Sequence, residues 1–326
     1  MILDSFKNFK DFELLDSGNG YRLERWDEVI LQRPDPQIIW PKSLPEDEWN
    51  KAWAKFVPGN SEDKGKWDIK KHMPYPWTVE FNNVKFLLKL SPFKHTGLFA
   101  EQAANWEWML EKISKNKKQE PNKNQVSNLK ILNLFAYTGG ATMVLAKAGA
   151  SVTHVDASKP TITWANENYK LNFGNTPPVA RSTSLGATLN TIEQVDSARD
   201  EHSLNGNVRW ILDDCAKFAK REVKRGAKYD GIIMDPPAFG HSPDGKTWRF
   251  NADLPGLLND CIKLLSDDAK FLLINGYATN SSALALNNLL QDMLSSKKGK
   301  IDFGELCLKQ KSNRLISTGI FARWHS

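Results

Sequence analysis

The sequence predicts an α/β fold: a mostly parallel, Rossmann-like sheet with helices on both faces, ending in an antiparallel hairpin and preceded by a small β-rich module. Three observations carry this. From Leu129 onward, short apolar runs alternate with helical stretches, the signature of a parallel sheet built from strand–helix units. The last two runs, 304–309 and 315–324, follow one another with no helix between them. Ahead of residue 92 lie two hairpin signals among many prolines and tryptophans.

The elements follow in chain order. Residues 20–33 (GYRLERWDEVILQR) read as a hairpin turning at Asp27-Glu28, with Val29 and Leu31 alternating against polar neighbours. Residues 34–77 carry seven prolines and read as irregular, with one short helix near 47–56. Residues 77–90 form a second hairpin, because Asn82-Asn83 tolerates the positive-φ turn. Ala103, Trp106, Leu110 and Ile113 recur at helical spacing, predicting a helix from Phe99 to Lys115. Residues 115–128 are polar and basic, hence a linker, and the Ser/Thr/Asn-rich stretch 175–206 reads as a surface insertion. The strands are expected at 129–135, 151–156, 208–214, 229–235 and 270–275. The organisation is therefore a module over 1–92, a connecting helix and linker over 93–128, and the α/β domain over 129–326.

The 326 residues are enough for a sizeable core, and 40% hydrophobic with 25% charged is ordinary for a globular chain. Three dispersed cysteines exclude a disulfide scaffold, a zinc ribbon and a cysteine-ligated cluster. No apolar run reaches the ~20 residues of a membrane span, and residues 1–16 carry four acids and no apolar core of a signal peptide. A cytoplasmic setting with no membrane partner is expected. A net charge of +6 permits an anionic partner without requiring one. Eight of the twelve tryptophans fall in the first 108 residues, which we read as core for the β-rich module rather than as a base-stacking surface.

In an open parallel sheet, ligands bind outside the carboxyl ends of the strands. After the first strand comes Phe135-Ala136-Tyr137-Thr138-Gly139-Gly140, whose glycines admit a ligand close to backbone and whose following helix offers free N–H groups. After the second comes Asp156, placed to accept both hydroxyls of a ribose. The spacing is not GxGxxG, since Phe135 and Tyr137 stand where glycines would be. After the third comes Asp213-Asp214-Cys215; one acid there can accept an adenine amine. The fourth ends in Asp235-Pro236-Pro237-Ala238-Phe239-Gly240. Two prolines directly after an apolar strand remove donors and fix φ, which stiffens a loop whose carbonyls, with the Asp235 carboxylate, form an acceptor cluster able to grip the N–H groups of a nucleophile.

These motifs, NLFAYTGGAT (133–142), VDAS (155–158), DDCAKF (213–218) and DPPAFG (235–240), with FKHTGLFAEQ (93–102) upstream, resemble the bacterial class I S-adenosylmethionine (SAM) methyltransferases related to the large-subunit ribosomal RNA methyltransferases. RPDPQIIWP (33–41) and STGIFARW (317–324) resemble a short subgroup lacking the PUA domain. The resemblance implies SAM as cofactor, with Thr96, Gly97 and Phe99 along its methionine side. It implies backbone contact at Gly139 beside Tyr137 and Thr138, the ribose on Asp156 next to Ser158, and the adenine on Asp214 with Cys215. Asp213 is then a strand-end residue or a lysine partner. Asn133 stands where many relatives carry an acid facing the SAM amino group. Asp235, Pro236, Pro237 and Phe239 are implied to face the methyl acceptor.

One departure shapes the chemistry. Cytosine-C5 enzymes of this relationship attack the ring with a cysteine after the fifth strand, and here that position is Tyr277. Cys215, beside the adenine, is wrongly placed for attack. The expectation is therefore direct in-line transfer to a nitrogen or oxygen of an RNA nucleotide, in ribosomal RNA, without a metal. The rival readings are a small-molecule or protein acceptor, a nicotinamide oxidoreductase, which the missing GxGxxG disfavours, and a non-catalytic SAM- or RNA-binding module, which the intact Asp235 disfavours. Residues 241–249 read equally as a lid, with Trp248 stacking and Arg249 on phosphate, or as a plain loop. The run Lys217, Lys220, Arg221, Lys224, Arg225, Lys228 reads as the solvated face of a helix before it reads as an RNA track.

Overall fold

A computed structural model describes residues 1–61, 64–114, 129–174, 180–181, 207–241 and 247–326. The linker 115–128, most of the 175–206 stretch and the tip of the 241–249 segment lie outside them.

In chain order the elements begin with β1 (Ile2–Asp4), β2 (Phe12–Gly18), β3 (Tyr21–Trp26), β4 (Val29–Pro34), α1 (Glu46–Trp49), β5 (Ala54–Ser61), β6 (Lys64–Ile69), β7 (Trp77–Phe81), β8 (Val84–Leu88) and α2 (Gln102–Ser114). They continue with β9 (Lys130–Leu134), α3 (Gly140–Lys147), β10 (Ser151–Asp156), α4 (Lys159–Phe173), β11 (Ala180–Arg181), β12 (Val208–Leu212), α5 (Cys215–Lys224) and β13 (Gly231–Met234). The chain ends with β14 (Phe239–His241), β15 (Thr247–Arg249), α6 (Phe250–Leu264), β16 (Phe271–Gly276), α7 (Ala283–Met293), β17 (Lys300–Lys309) and β18 (Leu315–His325).

The central sheet runs β1-β17-β18-β16-β13-β9-β10-β12-β11. Among the described strands β18 alone runs against its neighbours, lying antiparallel to both β16 and β17. This is the predicted parallel sheet with its C-terminal antiparallel hairpin. Alternation along each strand divides the core. Ile131, Ile233 and Leu273 face α2, α3, α4 and the β7–β8 hairpin. Leu132, Leu134, Ile232, Met234 and Leu272 face α5, α6 and α7.

The N-terminal module is the predicted small β structure, a five-stranded sheet β2-β3-β4-β5-β6 beside the β7–β8 hairpin. The two predicted hairpins form at their expected turns, with Asp27, Asn82 and Asn83 at positive φ. Trp26, Trp49 and Trp77 are buried, so these tryptophans build core. Two departures from the sequence reading are physical. Residues 54–69, read as irregular, are the antiparallel pair β5–β6, whose edge strand carries Lys64, Lys66 and Asp68 and so hides its period. Residues 2–4 pair in parallel with β17 of the central sheet, a three-residue strand too short to show a pattern.

Candidate active site at the carboxyl ends of the strands

The sheet order places β10 and β13 on opposite sides of β9, so the strand order reverses there. At that point the strand ends open on a cleft of about 810 Å³. That volume falls in the ~300–1,000 Å³ range of ligand sites.

Leaving β9, the chain turns through Phe135 (φ 57°), Tyr137 (φ 51°) and Gly139 (φ 85°), left-handed at alternate positions and twice without glycine. Such backbone persists only where its surroundings over-determine it. The Phe135 N–H donates to Cys215 Sγ (3.2 Å) and the Tyr137 N–H to Asp156 Oδ2 (2.8 Å). The Thr138 hydroxyl donates to the Gly97 carbonyl, while its own carbonyl accepts from Asn168 Nδ2 (2.9 Å).

Asp156 Oδ1 accepts from the Ser158 N–H (2.8 Å) and the Thr161 hydroxyl (3.0 Å). Burial raises the Asp156 carboxyl above its ordinary range, against the pull of these donors. The Ala157 N–H adds to these donors, and Asp156 and Ser158 both line the cleft. Of the two acids after β12, Asp214 and Cys215 line the cleft. Asp214 also caps α5 by accepting from the Lys217 N–H (2.9 Å). Asp213 turns away to an ion pair with Arg221, an arginine rather than the lysine considered.

Asn133 borders a small inner recess of about 50 Å³, together with Gly97, Thr138 and Asp235. Its Nδ2 donates to the Thr142 hydroxyl (2.9 Å), which lies 3.0 Å from His154 Nδ1. Burial pushes His154 down to about 3, so the imidazole is neutral. With Nδ2 committed, the free acceptor of Asn133 is its amide oxygen. Gly97 is required for close approach, since at φ 97° a Cβ would meet the Trp164 ring at 2.1 Å. Phe99 sits among His95, Tyr137 and Tyr277, with ring centroids 4.9, 5.7 and 6.4 Å away. Two expected residues stand back: Thr96 is fully buried, and neither it nor Gly139 borders either cavity.

Asp235 leaves β13 at the border of cleft and recess. Asn275 Nδ2 donates to its Oδ1 (2.8 Å) and Gln102 Nε2 to its Oδ2 (3.2 Å). Burial pushes its carboxyl up to about 6, partly opposed by the Asn275 bond. Pro236, Pro237 and Phe239 line the cleft, Phe239 being 64% exposed on the β14–β15 hairpin. The carbonyl of Pro237 accepts from Trp248 Nε1 (2.8 Å), which ties the loop to the β14–β15 hairpin and leaves the oxygen one further lone pair.

None of the family models compared matches the chain. A solved SAM-dependent methyltransferase from Agrobacterium tumefaciens is 32% identical, with a TM-score of 0.83 over 100% of this chain and 93% of that one. The chain belongs to the SAM-dependent methyltransferases. A Streptococcus mutans methyltransferase, 15% identical with a TM-score of 0.63 over 98% of this chain and 76% of that one, shares the fold. Among curated sequences, the ribosomal RNA large subunit methyltransferase K/L of Pseudoalteromonas atlantica is 28% identical over 60% of this chain and 21% of its own length. That of Alteromonas mediterranea is 26% identical over 85% of this chain and 34% of its own. The methyltransferase thus spans about a third or less of these relatives.

In this methyltransferase, sequence reasoning missed Gln102, Asn275 and Glu101, all at the cleft. The first and last stood inside the quoted FAEQ segment, and the second ends the fifth strand's apolar run. The lid expectation falls partly outside the described residues. Trp248 itself is seated, its ring 5.2 Å from Phe135. The basic run does not lie on one helix, since α5 ends at Lys224, and it is partly consumed internally: Arg221 pairs with Asp213, Arg225 with Glu222 (2.9 Å), and Lys228 donates to the Lys263 carbonyl (2.8 Å). Among the described residues no helix is long and apolar enough to cross a membrane, and no group of three or more His, Cys, Asp and Glu has metal-binding geometry.

Proposed function

We propose that this methyltransferase modifies a nitrogen, or an oxygen, of an RNA nucleotide in ribosomal RNA by direct in-line transfer. The observation that carries the reading is the Asp235 carboxylate, half-buried at the end of β13 and held by Gln102 and Asn275, which line the same cleft. The cleft fits SAM in the chemistry of its donors and acceptors. Asp156 and Asp214 border it as carboxylates, Phe99, Tyr137 and Phe135 give an aromatic wall, and Asn133 presents an amide oxygen in the adjoining recess. In this reading Asp156 holds the ribose hydroxyls, Asp214 the adenine amine and Asn133 the amino group. When bound, SAM would supply a methyl group on a sulfonium: the acceptor lone pair would attack that carbon in line, S-adenosylhomocysteine would leave as a neutral thioether, and the acceptor's proton would pass to Asp235 or to water. The protein contributes proximity, orientation and exclusion of water. Asp235 accepts an N–H of the acceptor and so aims its lone pair, Pro236 and Pro237 keep the loop stiff, and Phe239 offers a ring at the mouth.

Ribosomal RNA as the acceptor rests on the names of the K/L relatives, all partial matches. A small-molecule or protein acceptor is the second reading, favoured by the internal pairing of the α5 cations. Nucleoside mass spectrometry of RNA from a deletion strain, before and after treatment with enzyme and SAM, decides between them. One N- or O-methylated nucleoside should be missing and then restored; unchanged nucleosides would remove RNA as the acceptor. An RNA substrate carrying 5-fluorocytosine should form no SDS-stable adduct, because the Cys215 thiol is buried and pushed well above its ordinary range. An adduct abolished by Cys215→Ala would restore covalent chemistry.

A further inference from the structure

Glu101 is a buried carboxyl to which the reading above gives no task. It lies directly before α2, is only 5% exposed, and lines the cleft with Gln102 and Asp235. Beyond its own backbone N–H, no donor among the described residues hydrogen-bonds it. A carboxylate left in this condition is costly unless something else satisfies it. Its neighbourhood lies on the acceptor side. Gln102, the next residue, donates to Asp235. Ala104, one turn on, packs on Leu306 of β17 and Phe321 of β18. The strands that this arrangement associates with SAM, β9, β10 and β12, lie on the other side of β13.

Two cations stand near Glu101 without hydrogen-bonding it. Behind it stands Arg22 of β3, fully inside the protein, within 3.5 Å of Glu24 and 3.4 Å of Asp35. Arg22 Nε and Nη1 have no hydrogen-bond partner among the described residues. Arg33 is bound to Glu24 through two bonds of 2.6 and 3.0 Å. The two arginines attract Glu101 without bonding it, and so leave its lone pairs for a ligand. Burial raises its carboxyl above the ordinary range, and Arg22 and Arg33 work against that.

We propose that Glu101 is a specificity-determining residue for the methyl acceptor: its carboxylate receives an N–H donor of the acceptor at a position other than the methylated atom, while Asp235 holds the reacting group. The inference deepens the acceptor reading and requires an acceptor with at least two polar N–H positions, one for each carboxylate. A partner with no polar hydrogen on that edge would leave the Glu101 carboxyl oxygen facing the cleft without a donor and be disfavoured.

The test compares wild type with Glu101→Gln, Glu101→Asp and Glu101→Ala. Tritiated SAM is offered with two separate acceptor pools, total RNA and an RNA-free low-molecular-weight extract, both from a deletion strain. Whichever pool the wild type labels is used to compare the variants. Glu101→Ala should lower kcat/KM for that pool at least 30-fold, while calorimetric affinity for SAM stays within twofold. Glu101→Asp, which keeps the charge, should recover part of the loss. Glu101→Gln, nearly isosteric, should fold as wild type by melting temperature and still lose at least fivefold. Label in the extract but not in RNA overturns the RNA reading and leaves the Glu101 comparison intact. Unchanged kcat/KM in Glu101→Ala, or a parallel tenfold loss of SAM affinity in Glu101→Gln, overturns the assignment of Glu101.

Discussion

In the proposed reading the chemistry turns on Asp235, and the environment of this side chain has two measurable consequences. Its carboxyl sits at about 6 in the folded protein because burial disfavours the charge. The ionised form accepts an N–H more strongly and can also take the proton that the acceptor gives up, so turnover should rise with pH through about 6 and level off above it. Asp235→Asn should remove that limb along with most of the activity. Stability runs the other way. A folded pKa above the unfolded value means that the contribution is full below about 3.8 and is lost as the pH rises through about 6. At pH 7.5 the buried charge therefore weakens the fold, and Asp235→Asn should stabilise it by about 1–3 kcal/mol, seen as a higher melting temperature. A lower melting temperature would mean that the Gln102 and Asn275 bonds outweigh the burial. Asp235 was legible in the sequence because it heads a rare Asp-Pro-Pro run after an apolar strand. Gln102 and Asn275 were not, because hydrogen bonds between residues more than a hundred positions or a whole strand apart leave no local pattern.

The strands of the α/β region were readable as short continuous apolar runs, because both of their faces are buried, and the helices because each buries one face and so carries a period. Helix α7 was not singled out, and β1 left no trace at all. Its three residues bury little, and its pairing depends on a feature of its partner. At Gly304 of β17 a Cβ would lie 1.8 Å from the Ile2 carbonyl oxygen, so only glycine admits β1 there. Once paired, β1 brings Asp4 to Arg323 of β18 (2.7 Å), whose Nε donates to Asn105 of α2 (2.8 Å). Asn105 in turn donates to Gln102 (2.7 Å), the residue that holds Asp235. The edge strand thus anchors one end of a chain of bonds that reaches the cleft. Gly304→Ala should expel β1, lower stability by about 1–3 kcal/mol and remove amide-exchange protection at residues 2–4. Retained protection would show that the strands can shift to admit a methyl group.

The whole molecule couples its N-terminal module to the cleft through buried charge. Glu24, Arg33, Arg22 and Asp35 are all at most 6% exposed, and Arg33 Nη1 also donates to the Lys94 carbonyl (3.3 Å) just ahead of the cofactor-side loop. Burial alone would raise the Glu24 carboxyl, but Arg33 and Arg22 bring it below the ordinary range. Its contribution is therefore present at neutral pH and is lost as the pH falls through that lowered value. Removing one partner leaves the other buried and charged. Arg33→Met should cost about 3–5 kcal/mol, and adding Glu24→Gln should recover much of it, measured by urea unfolding. Nothing in the sequence foretold this cluster, since RLER and QRP read as ordinary hairpin polarity.

On the proposed reading the cleft is divided in two, with β9, β10 and β12 presenting residues for SAM and β13, β16 and the start of α2 presenting residues for the acceptor. SAM affinity and single-turnover methyl transfer measured on Asp156→Ala and Asp235→Ala together separate the halves. Asp156→Ala should weaken SAM binding at least tenfold, since each charge-assisted bond is worth ~1.5–3 kcal/mol. Asp235→Ala should leave SAM affinity within about threefold of wild type, a difference of less than 1 kcal/mol, while transfer falls at least a hundredfold. Equal loss of SAM affinity in both variants would contradict the division of the cleft.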